Sequence, residues 1–516
     1  MKGLGRLGAL PFAGVAVTLM ALLAMWVDNL RQLPVEGALP TLAAGAVLAA
    51  ATVVLFRPMA GSWARAGLFS GMLAVYIFYV PALGDFLDLA VLPMLALHAV
   101  SIALLIFLAR RIPKEGVRLT SLSARINLLC LILLVPAVLP VVMKSASAAP
   151  ARAKAAVALP DFEGYSNANS PDVWHILLDR YAGVDTFRST YQFDNRPFIE
   201  ALRQRGFTVQ DQAFGNYQRT GHSVASTMNG ALLDPLSEPM QGRGEDWIPI
   251  YRLMRNGAAI RFFNHQGYRT VFAGSWWEPT RFSDEAGESI KIRAIPQLAR
   301  LAIKDSAVGL WTSEQRIPFI DGRGDQCFRA NEKFRRLKEI VRQDGKKFVF
   351  AHFLVPHPPF VLNADGSCRS LSAAKSATRR DNYIAQVEFA NRQVLSLIDT
   401  IIAAKRPAVI VLHSDEGPWP APYVGNEHGL GTDPVRVPWA DLPPQKLREK
   451  MSILLAVRGP AGPPATMPTS PVQIYPSILH DYFGSKRPLP PSRHFIFESD
   501  RQLYTFREVS GKLAQR

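Results

Sequence analysis

The chain has 516 residues, of which 48% are hydrophobic, and its 58 Lys and Arg against 42 Asp and Glu give a formal net charge of +16. A single soluble domain of about 100–200 residues does not account for this length. The apolar residues are concentrated before position 144, and many basic residues lie in short loops between them. Because such loops set membrane topology, the charge does not require a nucleic-acid partner, and we predict none.

Five apolar segments precede position 144, and each is close to the roughly 20 residues that a membrane-spanning helix needs. None carries a charge near its centre, and one signal peptide cannot account for five such segments. They occupy residues 7–27, 38–56, 67–83, 89–109 and 126–143. The sequence therefore predicts a transmembrane domain of five helices over residues 1–143.

The loops between these segments alternate in charge. Lys and Arg predominate before the first segment and at 57–66 and 110–125, whereas acidic residues predominate at 28–37 and 84–88. Cytoplasmic loops carry the excess of Lys and Arg. We therefore predict a multi-pass protein of the cell inner membrane, with a cytoplasmic amino terminus and the remaining chain outside the cytoplasm, in the periplasm.

Residues 144–165 begin with a tract of Ala, Ser and Pro that is typical of a linker. The small residues SASAA just after the last apolar segment also resemble a signal-peptidase site, so cleavage there is an alternative to an uncut linker. We expect a separate extracytoplasmic domain over residues 166–516.

That domain alternates strand and helix patterns, which predicts an α/β fold with a central, mostly parallel sheet and helices on both faces. Strands are predicted at 173–178, 270–273, 348–354, 408–412 and 452–457, and helices at 197–205, 381–404 and 472–483. In open α/β sheets, ligands bind beyond the carboxyl ends of the strands. Polar residues at those ends are therefore the first candidates for function.

Three predicted strand ends carry such residues. Asp179 follows the first strand, His352 and His357 lie at the end of the third, and Asp415 and Glu416 follow the fourth in the sequence SDEG. An acid after a strand can equally be a turn former or a helix cap. His352 can be a core histidine with satisfied hydrogen bonds, whereas His357, between prolines, is better placed to be a ligand.

Thr220 lies between the first two of these strand ends, where a predicted small-residue helix begins. The free N–H groups of a helix amino terminus attract anions and help to ionise a hydroxyl group. Plain helix capping is the alternative interpretation for Thr220 taken alone.

The order of these elements resembles the sulfatase and alkaline phosphatase superfamily, most closely its membrane-anchored branch of lipoteichoic acid synthases and phosphoethanolamine transferases. The resemblance covers residues 171–484, and the preceding spans also fit that branch. It implies an alkaline-phosphatase-like domain in which Asp179, Thr220 and Asp415 bind a divalent metal, with Thr220 as the nucleophile. It further implies that His357 binds the substrate and that His428 assists the leaving group.

Two positions depart from the superfamily pattern. The Cys/Ser-x-Pro-x-Arg sequence that yields a formylglycine nucleophile is missing around Thr220, so sulfate-ester hydrolysis by that route is not expected. Glu416 stands where the resemblance implies a histidine. The set Asp179, Thr220, Asp415 and Glu416 offers oxygen donors alone, which favours Mn²⁺, Mg²⁺ or Ca²⁺ over Zn²⁺.

Glu416 also adds negative charge to a site that has to accept a phosphate. We expect Arg180, Arg219 and the histidines, His352 among them, to offset that charge on the substrate side. The change at Glu416 either retunes the metal or marks a degenerate site, and retuning is the interpretation we retain.

Cys327 and Cys368 are the two cysteines of the predicted extracytoplasmic domain. An oxidising compartment would allow them to form a disulfide, and we predict one. Two reduced, buried cysteines are the alternative.

These features together predict a membrane-anchored, metal-dependent enzyme of phosphate esters. We expect it to transfer a phospho-alcohol group to an envelope lipid or glycan through a threonine intermediate. The alternatives are a sulfatase-like hydrolase or phosphodiesterase, and a catalytically degenerate scaffold in envelope assembly.

Overall fold

The structure is a computed structural model, and it describes residues 7–167, 169–309, 322–420, 423 and 437–515. The chain divides into two compact units. The first, which we call the helical unit, comprises Met1–Pro150 and Ile295–Gly322. The second, the α/β unit, comprises Ala151–Ala294 and Arg323–Arg516.

We number the helices and strands of the described residues along the chain. The helices are α1 Ala13–Asp28, α2 Val35–Ala60, α3 Trp63–Phe86, α4 Val91–Arg111, α5 Val117–Ala156, α6 Val184–Ser189, α7 Arg196–Gln204, α8 Thr220–Asn229, α9 Ile248–Arg255, α10 Ala258–His265, α11 Gln297–Lys304, α12 Arg323–Val341, α13 Leu371–Ser376, α14 Arg379–Ala403, α15 Pro444–Met451, α16 Ile474–Phe483 and α17 Ser510–Ala514. The strands are β1 Asp172–Leu178, β2 Thr208–Val209, β3 Ala213–Phe214, β4 Arg269–Ala273, β5 Glu288–Ser289, β6 Lys347–Phe353, β7 Ala408–Ser414, β8 Ser452–Ile453, β9 Leu455–Arg458, β10 Phe495–Ile496 and β11 Arg507–Glu508.

Four helices of the described chain, α2 to α5, are long and apolar enough to cross a membrane. They correspond to the last four predicted spans and fit a membrane anchor. The first predicted span is shorter than expected, because its regular part is α1, with 16 residues. At 1.5 Å per residue, that helix is about 24 Å long, less than the roughly 30 Å hydrocarbon core of a bilayer.

The predicted linker is partly helical. Helix α5 continues without a break to Ala156, so residues 144–156 extend the last span as regular helix. Alanine has the highest helix propensity, and this tract is rich in alanine, which explains the difference from our expectation. Between the end of α5 and the start of β1, the described residues 157–167 and 169–171 form neither helix nor strand.

A second difference concerns residues 295–309, which the sequence places in the extracytoplasmic domain. They belong to the helical unit. Leu298 on α11 is fully buried in a cluster with Leu23 and Trp26 of α1. The Ala307 N–H donates a hydrogen bond of 2.7 Å to the Ile77 carbonyl on α3.

The α/β unit is built on a seven-stranded sheet in the order β2-β9-β7-β1-β6-β4-β5. The five strands from β7 to β5 are parallel, whereas β9 and β2 pair antiparallel at one edge. Every residue of β1, β6 and β7 is buried, as expected for parallel strands covered on both faces. Two hydrophobic cores, one for each face of the sheet, bury these strands.

The predicted strands and helices of this unit agree with the observed ones to within two residues, except at 452–457. There the chain forms two short strands, since β8 pairs with β3 in a separate sheet and β9 joins the main sheet. Cys327 and Cys368, whose pairing the sequence predicts, are joined by a disulfide with their Cα atoms 5.5 Å apart.

Candidate metal centre

The carboxyl ends of the two central strands bring three acids together. Strands β1 and β7 are parallel neighbours, with Leu178 opposite Ser414 in the register. The next residue after β1 is Asp179, and the next two after β7 are Asp415 and Glu416. The sequence places these acids far apart, and the parallel register places them side by side.

One carboxylate oxygen of each acid lies within 4.8 Å of the others. All three side chains are buried, with at most 2% of Asp179 exposed. Within the described chain, one oxygen of each acid has no hydrogen-bond partner: Asp179 Oδ1, Asp415 Oδ2 and Glu416 Oε2. Burying unpaired carboxylate oxygens is costly unless a cation compensates them, so the cluster fits a hard divalent ion.

The other oxygen of each acid is held in place. His352 Nε2 lies 3.2 Å from Asp179 Oδ2. The Arg180 backbone N–H donates to Asp415 Oδ1 at 3.0 Å. Glu416 Oε1 accepts from Arg180 Nε at 3.0 Å and from Lys450 Nζ at 2.7 Å. Each acid therefore has one fixed oxygen and one free oxygen, which is the arrangement a metal ligand needs.

Burial shifts the protonation of this cluster. It raises the pKa of Asp179 to about 7, an effect that Arg180 opposes and Glu416 reinforces. Burial also raises the pKa of Asp415, with repulsion from Asp179 and Glu416 as further causes. A bound cation would favour the charged carboxylates and reverse these shifts.

Thr220 is the first residue of α8, as the sequence predicts, and its side chain is half-buried. Its side chain interacts with the Asp415 carboxyl, and this interaction opposes the rise in the Asp415 pKa. The structure therefore places the predicted nucleophile at a helix amino terminus beside the acidic cluster. Ser223, one turn further along α8, instead donates to the Asp415 backbone carbonyl at 2.7 Å.

His352, for which the sequence predicts substrate binding, lies beside Asp179. The side chain is fully buried, and its Nδ1 lies 3.0 Å from Thr280 Oγ1 while Nε2 faces Asp179. Burial lowers its pKa to about 3, so the ring is neutral. Both ring nitrogens therefore have partners inside the protein, one of them Asp179, and substrate binding by His352 stays a prediction.

His357 lies in the segment after β6, and its Nδ1 contacts the Pro358 carbonyl. Burial lowers its pKa well below the usual value, and the charges of Arg180 and Lys450 lower it further. The ring is therefore close enough to both cations to sense them, which agrees with a place near the acidic cluster. His428 lies outside the described residues.

Lys450, which the sequence analysis missed, completes the centre. It lies in the last turn of helix α15, in a pattern typical of solvent-exposed charge, yet none of its side chain is exposed. Its Nζ bonds Glu416 and also donates to the Gly417 carbonyl at 3.2 Å, while the Gly417 N–H donates to the Lys450 carbonyl at 2.7 Å. A Cβ at Gly417 would collide with the Lys450 carbonyl, so the glycine permits this close approach.

Trp419, which the sequence analysis also missed, contacts three cations of the site through its ring. Its ring faces Lys450 Nζ at 4.2 Å, the Arg219 guanidinium at 4.9 Å and that of Arg180 at 5.4 Å. Cations within about 6 Å of an aromatic ring are attracted to its face. Arg180 and Arg219, which the sequence assigns to substrate binding, thus lie on the same aromatic ring beside the acids. The sequence DEGPWP places this tryptophan close to the two acids. A tryptophan in a sequence does not indicate, however, that three cations contact its ring.

Arg180 has a left-handed backbone conformation, with φ of 60°. This conformation is rare for a residue other than glycine. It allows the Arg180 N–H to reach Asp415 while the guanidinium reaches Glu416.

Comparison with known proteins identifies the family. The sulfatase family model matches residues 171–480, more than half of the chain. The chain therefore belongs to the sulfatase family, in an enzyme superfamily whose members are generally hydrolases or transferases. No curated protein matches the sequence.

Several solved structures are similar to parts of the chain. The C-terminal periplasmic domain of EptC from Escherichia coli is 12% identical, with 66% of this chain and 93% of that domain covered and a TM-score of 0.40. The soluble domain of lipooligosaccharide phosphoethanolamine transferase A from Neisseria meningitidis is 12% identical, with 57% and 78% covered and a TM-score of 0.36. The phosphonate monoester hydrolase of Agrobacterium radiobacter is 13% identical, with 63% and 80% covered and a TM-score of 0.36.

Proposed function

For this member of the sulfatase family, we propose a membrane-anchored, metal-dependent activity on phosphate esters, with Thr220 as the nucleophile. The observation that carries the proposal is the set of three buried, unpaired carboxylate oxygens next to the Thr220 hydroxyl. A structural acidic turn would expose such oxygens to water or pair them with donors.

Asp179, Asp415 and Glu416 would hold the metal through their free oxygens, with Thr220 as a fourth oxygen donor. This donor set suits Mn²⁺, Mg²⁺ or Ca²⁺ better than Zn²⁺. When bound, the ion supplies positive charge for the phosphate oxygens and for the Thr220 oxygen.

The residues of the chain perform the remaining tasks. The Asp415 carboxyl interacts with the Thr220 side chain and would orient the attacking oxygen. In the first step the Thr220 O–P bond forms, the bond from phosphorus to the leaving alcohol breaks, and the proton of the Thr220 hydroxyl passes to that alcohol. In the second step the O–P bond to an acceptor hydroxyl forms, the Thr220 O–P bond breaks, and the proton of the acceptor hydroxyl returns to Thr220.

The cations on Trp419 offset the negative charge that a phosphate ester brings. Arg180 and Lys450 already neutralise Glu416, and Arg219 directly precedes Thr220 in the chain. Positive groups that are positioned before the reaction stabilise the charge that develops in phosphoryl transfer. His357, and His428 in the segment outside the described residues, are our candidates for contacts to the substrate.

Transfer of a phospho-alcohol group to an envelope lipid or glycan is the form of this activity that we favour, because the chain carries four apolar helices suited to a membrane anchor. Simple hydrolysis of a phosphodiester is the second candidate. The unpaired oxygens argue against a degenerate scaffold, since a site without metal gains nothing from burying them.

The test uses the full chain in lipid nanodiscs that contain a phosphatidylethanolamine with a fluorescent head group. We expect divalent metal in the purified protein and a phospho-alcohol adduct on the peptide that contains Thr220, detected by mass spectrometry. Thr220→Ala should lose the adduct and keep the metal. An adduct on Ser223, or turnover without any adduct, would contradict the threonine intermediate, and a metal-free active protein would contradict the metal proposal.

A further inference from the structure

The helical unit contains a cavity of about 420 Å³ among α1, α2, α3 and residues 296–308. Its walls are apolar except for a few hydroxyl groups. We propose that this cavity binds one acyl chain of a membrane glycerophospholipid, with the Thr41 hydroxyl donating a hydrogen bond to the ester carbonyl. This binding does not depend on the catalytic proposal above.

The shape of the cavity fits a chain that runs along the membrane normal. Its lining positions on α2 extend from Pro40 to Thr52. At 1.5 Å per residue these positions span about 18 Å of the helix axis, more than half of the hydrocarbon thickness of a bilayer. Helix α2 is itself one of the candidate membrane spans. An elongated cavity with this direction favours a lipid chain over a compact ligand.

Small side chains create the space. Ala44 and Gly45 line the cavity from α2, and Ala299, Ala302 and Ser306 line it from α11 and the residues after it. Ala299 and Ala302 are three positions apart on α11, so they lie on one face of the helix, and Ser306 follows the end of the helix at Lys304. Larger residues at these positions would fill the cavity.

Thr41 supplies the polar contact. Its side chain is 93% buried, and its Oγ1 has no hydrogen-bond partner among the residues that the structure describes. A threonine within a helix commonly bonds the carbonyl four residues earlier. Thr41 makes no such bond, so a buried donor faces an otherwise apolar space.

The hydroxyls of Thr52, Ser70 and Ser306, which also line the cavity, have partners within the protein. Thr52 Oγ1 donates to the Ala49 carbonyl at 2.7 Å, and Thr52 and Ser70 are 2.6 Å apart at their hydroxyl oxygens. Ser306 Oγ donates to the Ile303 carbonyl at 2.9 Å. Among these four hydroxyls, Thr41 is the one without a partner in the described residues, and one acceptor atom on a ligand would satisfy it.

The position of Thr41 selects the acceptor. Thr41 is six residues from the start of α2, about 9 Å along the axis, near one end of the cavity. The glycerol ester of a phospholipid joins the chain to the head group at a comparable depth, close to the boundary of the hydrocarbon core. An ester carbonyl at one end and a long apolar chain beyond it match the single donor and the apolar walls.

The experiment uses the full chain in nanodiscs of phosphatidylethanolamine and phosphatidylglycerol. A phosphatidylethanolamine with a diazirine in one acyl chain serves as the probe, and labelled peptides are identified by mass spectrometry after illumination. We expect labelling of α2 and α11 within the cavity. Ala44→Phe and Ala302→Phe should reduce it at least five-fold, whereas the matched control Val47→Phe, at a position of α2 that is 68% exposed and outside the cavity, should leave it unchanged.

Thr41→Val separates a specific ester contact from general contact with hydrocarbon, because valine preserves the shape and removes the hydroxyl. We expect labelling to fall several-fold in this variant, and an alkyl diazirine without an ester to label both proteins equally. Size-exclusion profiles establish that each variant is folded. Equal lipid labelling in Ala44→Phe, Thr41→Val and Val47→Phe would overturn the proposal and assign the signal to lipids that surround the protein. Thr220→Ala should label like the unaltered protein, so loss of enzyme activity does not affect this result.

Discussion

The two ends of strand β1 bury an aspartate each, and the two aspartates differ in how completely they are paired. At the start of the strand, both oxygens of Asp172 are used, by the Lys347 N–H at 2.9 Å and by Arg406 Nε at 3.0 Å. At the end, Asp179 has one oxygen held by His352 and one without a partner. The paired aspartate closes a structural contact between strands, whereas the incompletely paired one offers a site.

The largest effect should come from removing the proposed nucleophile, Thr220, at the end of β1 where Asp179 is incompletely paired. Thr220→Ala is expected to lower the rate of phosphoryl transfer by about 10⁴-fold or more, by analogy with other nucleophile deletions. Thr220→Ser, which keeps the hydroxyl, should retain measurable turnover. Steady-state rates with the fluorescent phospholipid give the comparison, and unchanged thermal unfolding shows that the loss is chemical. Nearly full activity in Thr220→Ala would remove Thr220 from the mechanism.

Substituting the two aspartates should separate stability from metal binding. Asp172→Asn leaves the fully buried Lys347 without its carboxylate, and we expect a loss of about 3–5 kcal/mol in the free energy of unfolding with metal content unchanged. Asp179→Asn should abolish metal binding. The partner that it leaves behind, His352, is neutral, so the metal-free variant should be as stable as the metal-free unaltered protein or more stable. Denaturant unfolding and elemental analysis of both variants test this. If the two variants showed the same changes in stability and in metal content, the two ends of β1 would be equivalent.

Variants at Glu416 should show that the stability of the site depends on the pairing of Glu416 with Arg180 and Lys450. Glu416→His restores the nitrogen donor that the resemblance implies, but it leaves Arg180 and Lys450 buried without their acid. We therefore expect the single variant to lose stability and metal, and Glu416→His with Lys450→Met to recover metal binding with a preference for Zn²⁺. Titration calorimetry with Mn²⁺ and Zn²⁺ measures the preference. A single variant that binds Zn²⁺ as well as the double one would show that Lys450 has no part in holding the acid.

The smallest effect concerns pH. In the metal-free protein, the folded-state pKa of Asp179, about 7, lies above its ordinary value, so the unfolded chain binds fewer protons between these two pKa values. Stability should therefore fall as pH rises from 4 to about 7, and this fall should be smaller in Asp179→Asn. Unfolding temperatures of the chelator-treated protein across this range test the slope, with Asp172→Asn as the control that should keep it. Stability that rises with pH over this range in the unaltered protein would contradict the raised pKa of Asp179.

The sequence was informative where a residue is fixed by its own segment. Asp179 and Asp415 follow runs of apolar residues, so their place at strand ends could be predicted, as could Thr220 at the start of α8. Lys450 could not, because its burial depends on a contact with Gly417 that is distant in the chain. His352 was correctly placed at its strand, but its contact with Thr280 could not be predicted, since Thr280 comes from another segment.

The helical unit shows the same limit. Apolar length predicted α2 to α5, because a lipid environment imposes one simple requirement on each helix by itself. The place of α11 in that unit depends on the packing of Leu298 against α1, and the sequence around Leu298 is not apolar enough to predict that contact. The helical continuation of α5 to Ala156 was missed because a tract of Ala, Ser and Pro was interpreted by composition, and its alanines sustain the helix.

The left-handed backbone at Arg180 places opposite demands on stability and on activity. A residue other than glycine pays roughly 1–3 kcal/mol for such a conformation. Laboratory selection for heat resistance alone should therefore enrich Gly or Asn at this position. Selection for turnover should preserve Arg, since only its long side chain reaches Glu416 from that backbone. The residue found at position 180 after each selection would thus report which property the population had been required to keep.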